Sequence, residues 1–155
     1  MAELALDVRT VRGGDPGWGA HVELFAAYRA HYDQVNDPPR CDRWLREQLD
    51  AGRYACYLAR DAATGRGVGM ANVVVSPASI ALSLYWQLRD LHVRPGSRRA
   101  GVGRALVDAV VADARAAGAA RVSLQTEVSN DRALALYRSA GFEVVDELTL
   151  LNLML

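Results

Sequence analysis

The sequence predicts a mixed α/β layer fold in which one central sheet is flanked by helices. Three observations carry that expectation. Period-two alternation of apolar side chains marks several strands, and apolar recurrence at three- and four-residue spacing marks several helices. The two classes interleave in the order β-α-α-β-β-β-α-β-α-β-β, which departs from the strict βαβ alternation of a doubly wound parallel sheet. The chain of 155 residues suits one domain over residues 1–155. A domain of this size buries ~70% of the surface its unfolded chain exposes.

Leu4 to Val11 alternates, with Leu4, Leu6 and Val8 on one face, and Gly13-Gly14-Asp15-Pro16-Gly17 ends the strand. Leu24, Tyr28, Tyr32 and Val35 give Trp18 to Val35 a helical period, stopped by Asn36-Asp37-Pro38-Pro39. A shorter helix is expected after Asp42 as N-cap, closed at Gly52. Tyr54 to Asp61 and Val68 to Ser76 flank a turn at Ala63-Thr64-Gly65 and read as a hairpin. Pro77 breaks the second strand, and Ala81 to Val93 resumes as a long one. Val102, Leu106, Ala109, Val110 and Ala114 mark one face of a helix from Gly101 to Ala117, closed by Gly118. Val122 to Thr126 reads as a strand and Asp131 to Ala140 as a helix closed by Gly141. Phe142 to Val145 and Leu148 to Leu153 read as two final strands.

Composition excludes several functions. Eighteen basic and eighteen acidic residues cancel, so overall charge draws the chain to neither nucleic acid nor an anionic membrane. Cys41 and Cys56 lie in no CxxC or Cys/His cluster, so no metal site is expected; two buried reduced thiols are expected, with a single disulfide as the alternative. The first residues lack the basic and apolar segments of a signal peptide, and no apolar run is long enough to span a bilayer, so the expected location is the cytoplasm.

The most informative stretch is Val93-Arg94-Pro95-Gly96-Ser97-Arg98-Arg99-Ala100-Gly101-Val102-Gly103-Arg104, where a strand ends, a basic glycine-bearing loop follows and a helix begins. A helix N-terminus presents unpaired N–H groups with partial positive charge, and glycines let backbone approach an anion. A P-loop requires Lys-Ser/Thr after its last glycine, where this chain has Arg104-Ala105. A dinucleotide fingerprint requires glycine or alanine at its sixth position, where this chain has Leu106. A solvated basic turn that only caps the helix remains an alternative.

The segment Asp90-Leu91-His92-Val93-Arg94-Pro95, followed by Arg98-Arg99-Ala100-Gly101-Val102-Gly103, resembles the GCN5-related N-acetyltransferase superfamily. That superfamily carries Arg/Gln-x-x-Gly-x-Gly/Ala after a long strand. A second block, Ser129-Asn130-Asp131-Arg132-Ala133-Leu134-Ala135-Leu136-Tyr137-Arg138-Ser139-Ala140-Gly141-Phe142, is similar to its Asn, Leu-Tyr and Gly-Phe pattern. The likeness is closest from Leu88 to Val145, and the long strand is similar to the Hpa2-like branch. It implies the acyl-CoA N-acyltransferase fold, with a mostly antiparallel sheet, and acetyl-CoA as acyl donor.

Carried over residue by residue, the resemblance implies that backbone at Leu91, His92 and Val93 pairs with the cofactor arm. Arg98, Arg99, Ala100, Gly101, Val102 and Gly103 would wrap the pyrophosphate, with Arg104 in reach. Asn130, Ala133 and Tyr137 would face the cofactor arm and its thioester. Asn130 also suits a plain N-cap, and Tyr137 a core aromatic. Family chemistry is direct attack of an amine, which must first lose a proton, since an aliphatic amine has a pKa near ~10.4. Asp90 and then Glu127 are candidates for that base, and His92 has a suitable range. Tyr137 is the candidate to assist the leaving thiolate. A full proton transfer from a phenol near ~10 to a thiolate near ~8.5 is uphill by roughly 2 kcal/mol, which favours hydrogen bonding. Tyr28, Tyr32, Asp33 and Trp86 are candidates for the acceptor pocket, with Trp44 and Asp37 beside them. Tyr28 and Tyr32 also suit the core. The expected acceptor is a small-molecule amine, with protein amines or a catalytically weak acetyl-CoA-binding module as alternatives. The resemblance also implies a homodimer, as in many relatives.

Overall fold

The computed structural model describes residues 4–155. Strand β1 spans Leu6–Val11, helix α1 Trp18–His31 and helix α2 Pro38–Asp50. Strands β2 (Tyr54–Asp61), β3 (Gly67–Ala78) and β4 (Ser83–Val93) follow, then a 3-10 turn at Pro95–Ser97. Helix α3 (Val102–Ala116), strand β5 (Arg121–Leu124) and helix α4 (Asp131–Ser139) complete the regular elements. The chain comprises two compact units, one ending at Gln125 and one beginning at Thr126.

The first unit holds a five-stranded sheet in the order β1-β2-β3-β4-β5. All neighbours are antiparallel except β4 and β5, which run parallel around α3. The mixed, mostly antiparallel α/β class expected from the sequence is thus the one formed. Register assigns the two faces. Met70 and Asn72 of β3 pair with Leu58 and Cys56 of β2, and paired residues share a face. Met70, Leu58 and Cys56 pack with Trp18, Val22, Leu24 and Phe25 of α1 and with Cys41 and Leu45 of α2. Both cysteines are buried free thiols. The opposite face meets the buried stripe Val102, Leu106, Val107, Val110 and Ala114 of α3. There the Tyr57 hydroxyl donates to Asp113 Oδ2 at 2.8 Å and ties β2 to α3.

Several element boundaries differ from the sequence reading, each for a local reason. Helix α1 ends at His31, because Tyr32 is its C-cap and Asp33 takes a left-handed φ of 58°. The Asn36-Asp37-Pro38-Pro39 stretch starts α2 instead of only ending α1. Asp37 is the N-cap, accepting from Arg40 N at 3.0 Å, and Pro38 stands in the first turn, where its missing N–H costs nothing. Asp42 lies inside the helix, where it accepts from Trp18 Nε1 and Arg46. Strand β3 runs through Pro77, which pairs with Leu84. The β2 ladder stops at Val74, so the side of Pro77 that lacks an N–H faces no strand.

The two final strands expected at Phe142 to Val145 and Leu148 to Leu153 do not form. Apolar alternation describes a face, whereas a strand also needs a ladder partner. The second unit offers one helix and no strand. Val144, Val145, Leu148, Leu150, Leu151 and Leu153 stand exposed.

Gly69 marks the closest approach of β3 to α3. A Cβ there would meet Val102 Cγ1 at 2.7 Å, the His92 carbonyl oxygen at 3.1 Å and Leu106 Cδ1 at 3.1 Å. The backbone oxygen cannot swing aside, so overpacking of ~1–3 kcal/mol outweighs the ~0.4–1 kcal/mol that alanine gains by restricting the unfolded chain. Gly69→Ala is expected to lower the urea midpoint without changing the slope.

Candidate active site

The site is built around a change of register in β4. Val73 pairs with Leu88 and Asn72 with Asp90, which leaves Arg89 as the extra residue of a bulge. The same point ends the β5 ladder, whose last pair is Leu88 with Leu124. From Arg89 to Val93, β4 therefore keeps β3 on one side and, among the described residues, has no strand ladder on the other. Leu91, His92 and Val93 lie on this stretch and present a backbone edge able to accept an extended ligand arm.

The strand runs directly into the basic loop. Pro95–Ser97 makes a single 3-10 turn, Arg99 adopts φ 63°, and Gly101 adopts φ 78° as N-cap of α3. No side chain caps α3, and its first turn holds no acid. Left-handed residues just before an uncapped helix turn successive N–H groups toward one concavity, which suits an oxyanion. A Cβ at Gly101 would meet nothing within 4 Å, so glycine is needed for its backbone conformation and leaves open space at the loop.

The loop arginines have distinct settings. Arg98 Nε donates to the Val93 carbonyl at 3.1 Å and folds the loop back on the strand end. Arg104 pairs with Asp108 at 2.8 Å one turn along the helix. Arg94 Nε donates to the Gly67 carbonyl at 2.7 Å, fastening the loop to the start of β3. Arg99, Ala100, Val102 and Gly103 complete the Arg98–Gly103 turn. Val102 is buried against the sheet, so it contributes backbone only.

On the α1 and α2 face, the bulge aims Asp90 at Asn72, whose Nδ2 donates to Asp90 Oδ2 at 2.9 Å. Asn72 Oδ1 lies 2.9 Å from Nε2 of His21, and His21 Nδ1 lies 3.1 Å from the Tyr57 carbonyl oxygen. His21 and Asn72 are both fully buried. Burial raises the Asp90 carboxyl above the ordinary range, opposed by hydrogen bonds from Asn72 and Tyr28 and by the charge of Arg89. Burial also lowers His92, helped by Arg98, His31 and Arg94. Cys56 is pushed up to about 12 by the same burial, so it is no nucleophile.

The structure brings together part of the set singled out in the sequence. Tyr28 hydrogen-bonds Asp90, its ring lies 6.1 Å from that of His92, and Tyr32 meets Tyr28 edge-on at 5.1 Å. Tyr28 thus belongs to the polar cluster and does more than fill the core. Asp33 follows α1 in its left-handed turn. Trp44 packs between Phe25 and Tyr54. Asp37 is committed to capping α2. Trp86 pairs with Val75, on the face of Val73 and Leu88, away from Asp90 and His92. Its Nε1–H is buried without a hydrogen-bond partner. Glu127, Asn130, Ala133 and Tyr137 belong to the second unit. Asn130 is the N-cap of α4, its Oδ1 accepting from Ala133 N at 3.1 Å. Tyr137 packs edge-on to Phe142 at 5.9 Å.

His21 and Asn72 escaped the sequence reading. Asn72 was visible in principle, as the one polar side chain inside the otherwise small and apolar run Gly67 to Val75. His21 carried no such signal, since a histidine near a helix start is ordinary surface composition. Among the described residues no cluster of His, Cys, Asp and Glu could hold a metal, and no helix is long and apolar enough to cross a membrane.

Burial lowers His21 from 6.5 to about 4. The unfolded chain therefore binds a proton that the folded chain refuses between these values, and the His21 contribution to stability rises with pH across that window. Asp90, raised in the fold, contributes with the opposite sign, and its share is lost as pH rises through its folded value. Urea denaturation should show the stability of the natural protein falling, relative to His21→Leu, as pH drops from 6.5 to 4.

Comparison with known proteins agrees with this architecture. The model of the Acetyltransferase (GNAT) family matches residues 21–142. The chain is 28% identical over 138 residues to the uncharacterized N-acetyltransferase YhfO of Bacillus subtilis (strain 168), covering 89% of this chain and 90% of that protein. It is 33% identical over 125 residues to N-acetyltransferase family 8 member 3 of Rattus norvegicus, covering 81% of this chain and 51% of the relative. The crystal structure of a probable acetyltransferase superposes with a TM-score of 0.86 at 26% identity, covering 98% of both chains. With a family match that runs from α1 past the end of α4, the chain belongs to the Acetyltransferase (GNAT) family and is an acyltransferase.

Proposed function

We propose that this enzyme transfers an acetyl group from acetyl-CoA to the primary amine of a small molecule such as an amino acid or polyamine. The observation that carries the reading is β4, which leaves its β5 ladder at Leu88 and runs unladdered on that side into the uncapped N-terminus of α3. Such an edge followed by such a helix end accepts an extended arm and then a pyrophosphate. Arg98, Arg99, Ala100, Gly101, Val102, Gly103 and Arg104 would hold the pyrophosphate, and Leu91, His92 and Val93 the arm. Asn130, Ala133 and Tyr137 join them through their positions in the family motif. Bound there, acetyl-CoA supplies an acetyl group activated as a thioester.

The chain's own residues then divide the remaining tasks. The raised Asp90 carboxyl is closer to neutrality than an ordinary aspartate, which suits a group that takes a proton from an ammonium. Glu127 is the second candidate. A backbone N–H near Val93 offers a donor for developing negative charge. Tyr137 holds a hydroxyl proton for the departing sulfur. Tyr28 and Tyr32, beside Asp90 and His92, give the acceptor pocket an aromatic wall suited to a small amine, with Asp33 as a carboxylate at the end of α1. On this reading residues 1–155 act as one catalytic domain, located in the cytoplasm, and the enzyme works as a homodimer. The family match across both units supports the single domain.

Thiol release from acetyl-CoA with a panel of amino acids, polyamines and peptides tests the acceptor class; acetylation of peptides alone would refute it. Gly101→Glu places bulk and negative charge at the loop and is expected to weaken acetyl-CoA binding roughly 100-fold by calorimetry, about 2.7 kcal/mol. Unchanged affinity would move the pyrophosphate elsewhere. Tyr137→Phe should lower kcat on the order of 100-fold with little change in acetyl-CoA affinity. Equal activity would reduce Tyr137 to packing.

A further inference from the structure

The hydrogen-bond arithmetic around His21 does not close with ordinary protonation states. A neutral imidazole carries one N–H. Nδ1 of His21 faces the Tyr57 carbonyl oxygen, which only accepts, so Nδ1 carries a hydrogen. Nε2 faces the oxygen of the Asn72 amide, which also only accepts, while the amide NH2 faces Asp90. In this orientation His21 needs hydrogens on both nitrogens. With the amide turned over, its NH2 donates to Nε2 and its oxygen faces Asp90 Oδ2, so Asp90 must bring the hydrogen. Both arrangements satisfy every group, and both hold one proton beyond Nδ1–H. Without that proton, two acceptors meet in the core, whichever way the amide points.

We propose that His21, Asn72 and Asp90 form one proton-holding unit, in which His21 is a positioning residue that sets, through the Asn72 amide, when the Asp90 carboxyl is charged. The unit spans three elements: α1, β3 and the bulged part of β4. Trp18 stacks on the His21 ring at 5.8 Å and shuts water from that side. The groups facing Asp90 are Arg89 on its own strand, Tyr28 from α1, and Tyr54 and Cys56 from β2. Tyr54 and Cys56 are each pushed up to about 12, so they bring no charge at neutral pH. His92 lies against Tyr28 and His31 against Tyr32, and burial keeps His92 toward its neutral form. Arg89 favours the carboxylate and the buried imidazole favours its own neutral form. The amide between them transmits the competition. The proton therefore rests on Asp90 in the arrangement with neutral His21 and on His21 in the arrangement with the amide turned back, and the two exchange through release and uptake of a proton.

The catalytic consequence rests on Asp90 being the base proposed above. Asp90 then takes a proton from an ammonium only after the unit has surrendered its own proton or moved it to His21. The acid limb of the rate profile is thereby set from α1, a helix that need not touch the reacting atoms.

The test begins with the intact natural protein, labelled with 15N in histidine and 13C in aspartate. His21 and Asp90 signals are assigned by their loss in His21→Leu and Asp90→Asn. The expected titration moves the His21 Nε2 signal and the Asp90 carboxyl signal at one shared midpoint, above the ordinary aspartate range. Separate midpoints, or an Asp90 midpoint in the ordinary range, overturn the proposal. Kinetics with acetyl-CoA and the fastest amine of the panel add a second readout. His21→Leu frees the Asn72 NH2 for the carboxylate and should move the acid limb of kcat/KM down by about one pH unit. Asn72→Leu removes the donor and should move it up by about as much. A shared midpoint with no movement of either limb would uphold the unit and remove Asp90 as the base.

Discussion

Between Asn72 and Val73 the β3–β4 ladder slips by one residue, so that Arg89 has no partner across the pair. A strand with a bulge bends and twists more strongly than its neighbours. Here the bend falls where the parallel β5 ladder ends, so β4 leaves β5 while keeping β3. A continuous ladder would have carried the pleat through unchanged, placing Asp90 on the α3 face with Leu88. The single extra residue instead turns Asp90 to the face of Asn72, His21 and Tyr28. It also delivers the strand end to the loop that opens α3.

That placement puts three polar side chains into a core otherwise filled by Leu24, Leu45, Leu58 and Met70. Satisfied hydrogen bonds contribute only about 1 kcal/mol each, whereas an orphaned buried group costs more. The network is therefore better understood as a constraint than as a source of stability. It fixes the rotation of α1 about its axis, because only one helical position reaches both the Tyr57 carbonyl and Asn72. Tyr28 lies two helical turns further along and is brought to Asp90 and His92 by the same docking.

The loop answers a different requirement. Gly101 and Arg99 hold left-handed backbone so that α3 can begin without a side-chain cap. Natural helices commonly spend a Ser, Thr, Asp or Asn at that position, and the omission leaves N–H groups for another acceptor. The guanidiniums of Arg94 and Arg98 are spent on backbone carbonyls, so they shape the turn as well as charge it.

Local chemistry was enough to read β2, the helical stripe of α3, the α4 cap and the loop that opens α3, because each follows from near neighbours in the chain. Trp18 to Val35 and Pro77 were misjudged where one residue depends on surroundings: a left-handed Asp33 ended the helix, and a missing neighbour excused the proline. The last two strands failed for the complementary reason, since alternation without a ladder partner is only an amphipathic ribbon. The sequence by itself determined the family, the turn-to-helix form of the Arg98–Gly103 stretch and most of the sheet, since these rest on contiguous motifs and periodicity. Only the tertiary structure decided that Asp90, Asn72 and His21 meet. Those residues are 18 and 51 positions apart in successive steps, and nothing short of the register shift and the packing of α1 brings them within hydrogen-bond distance.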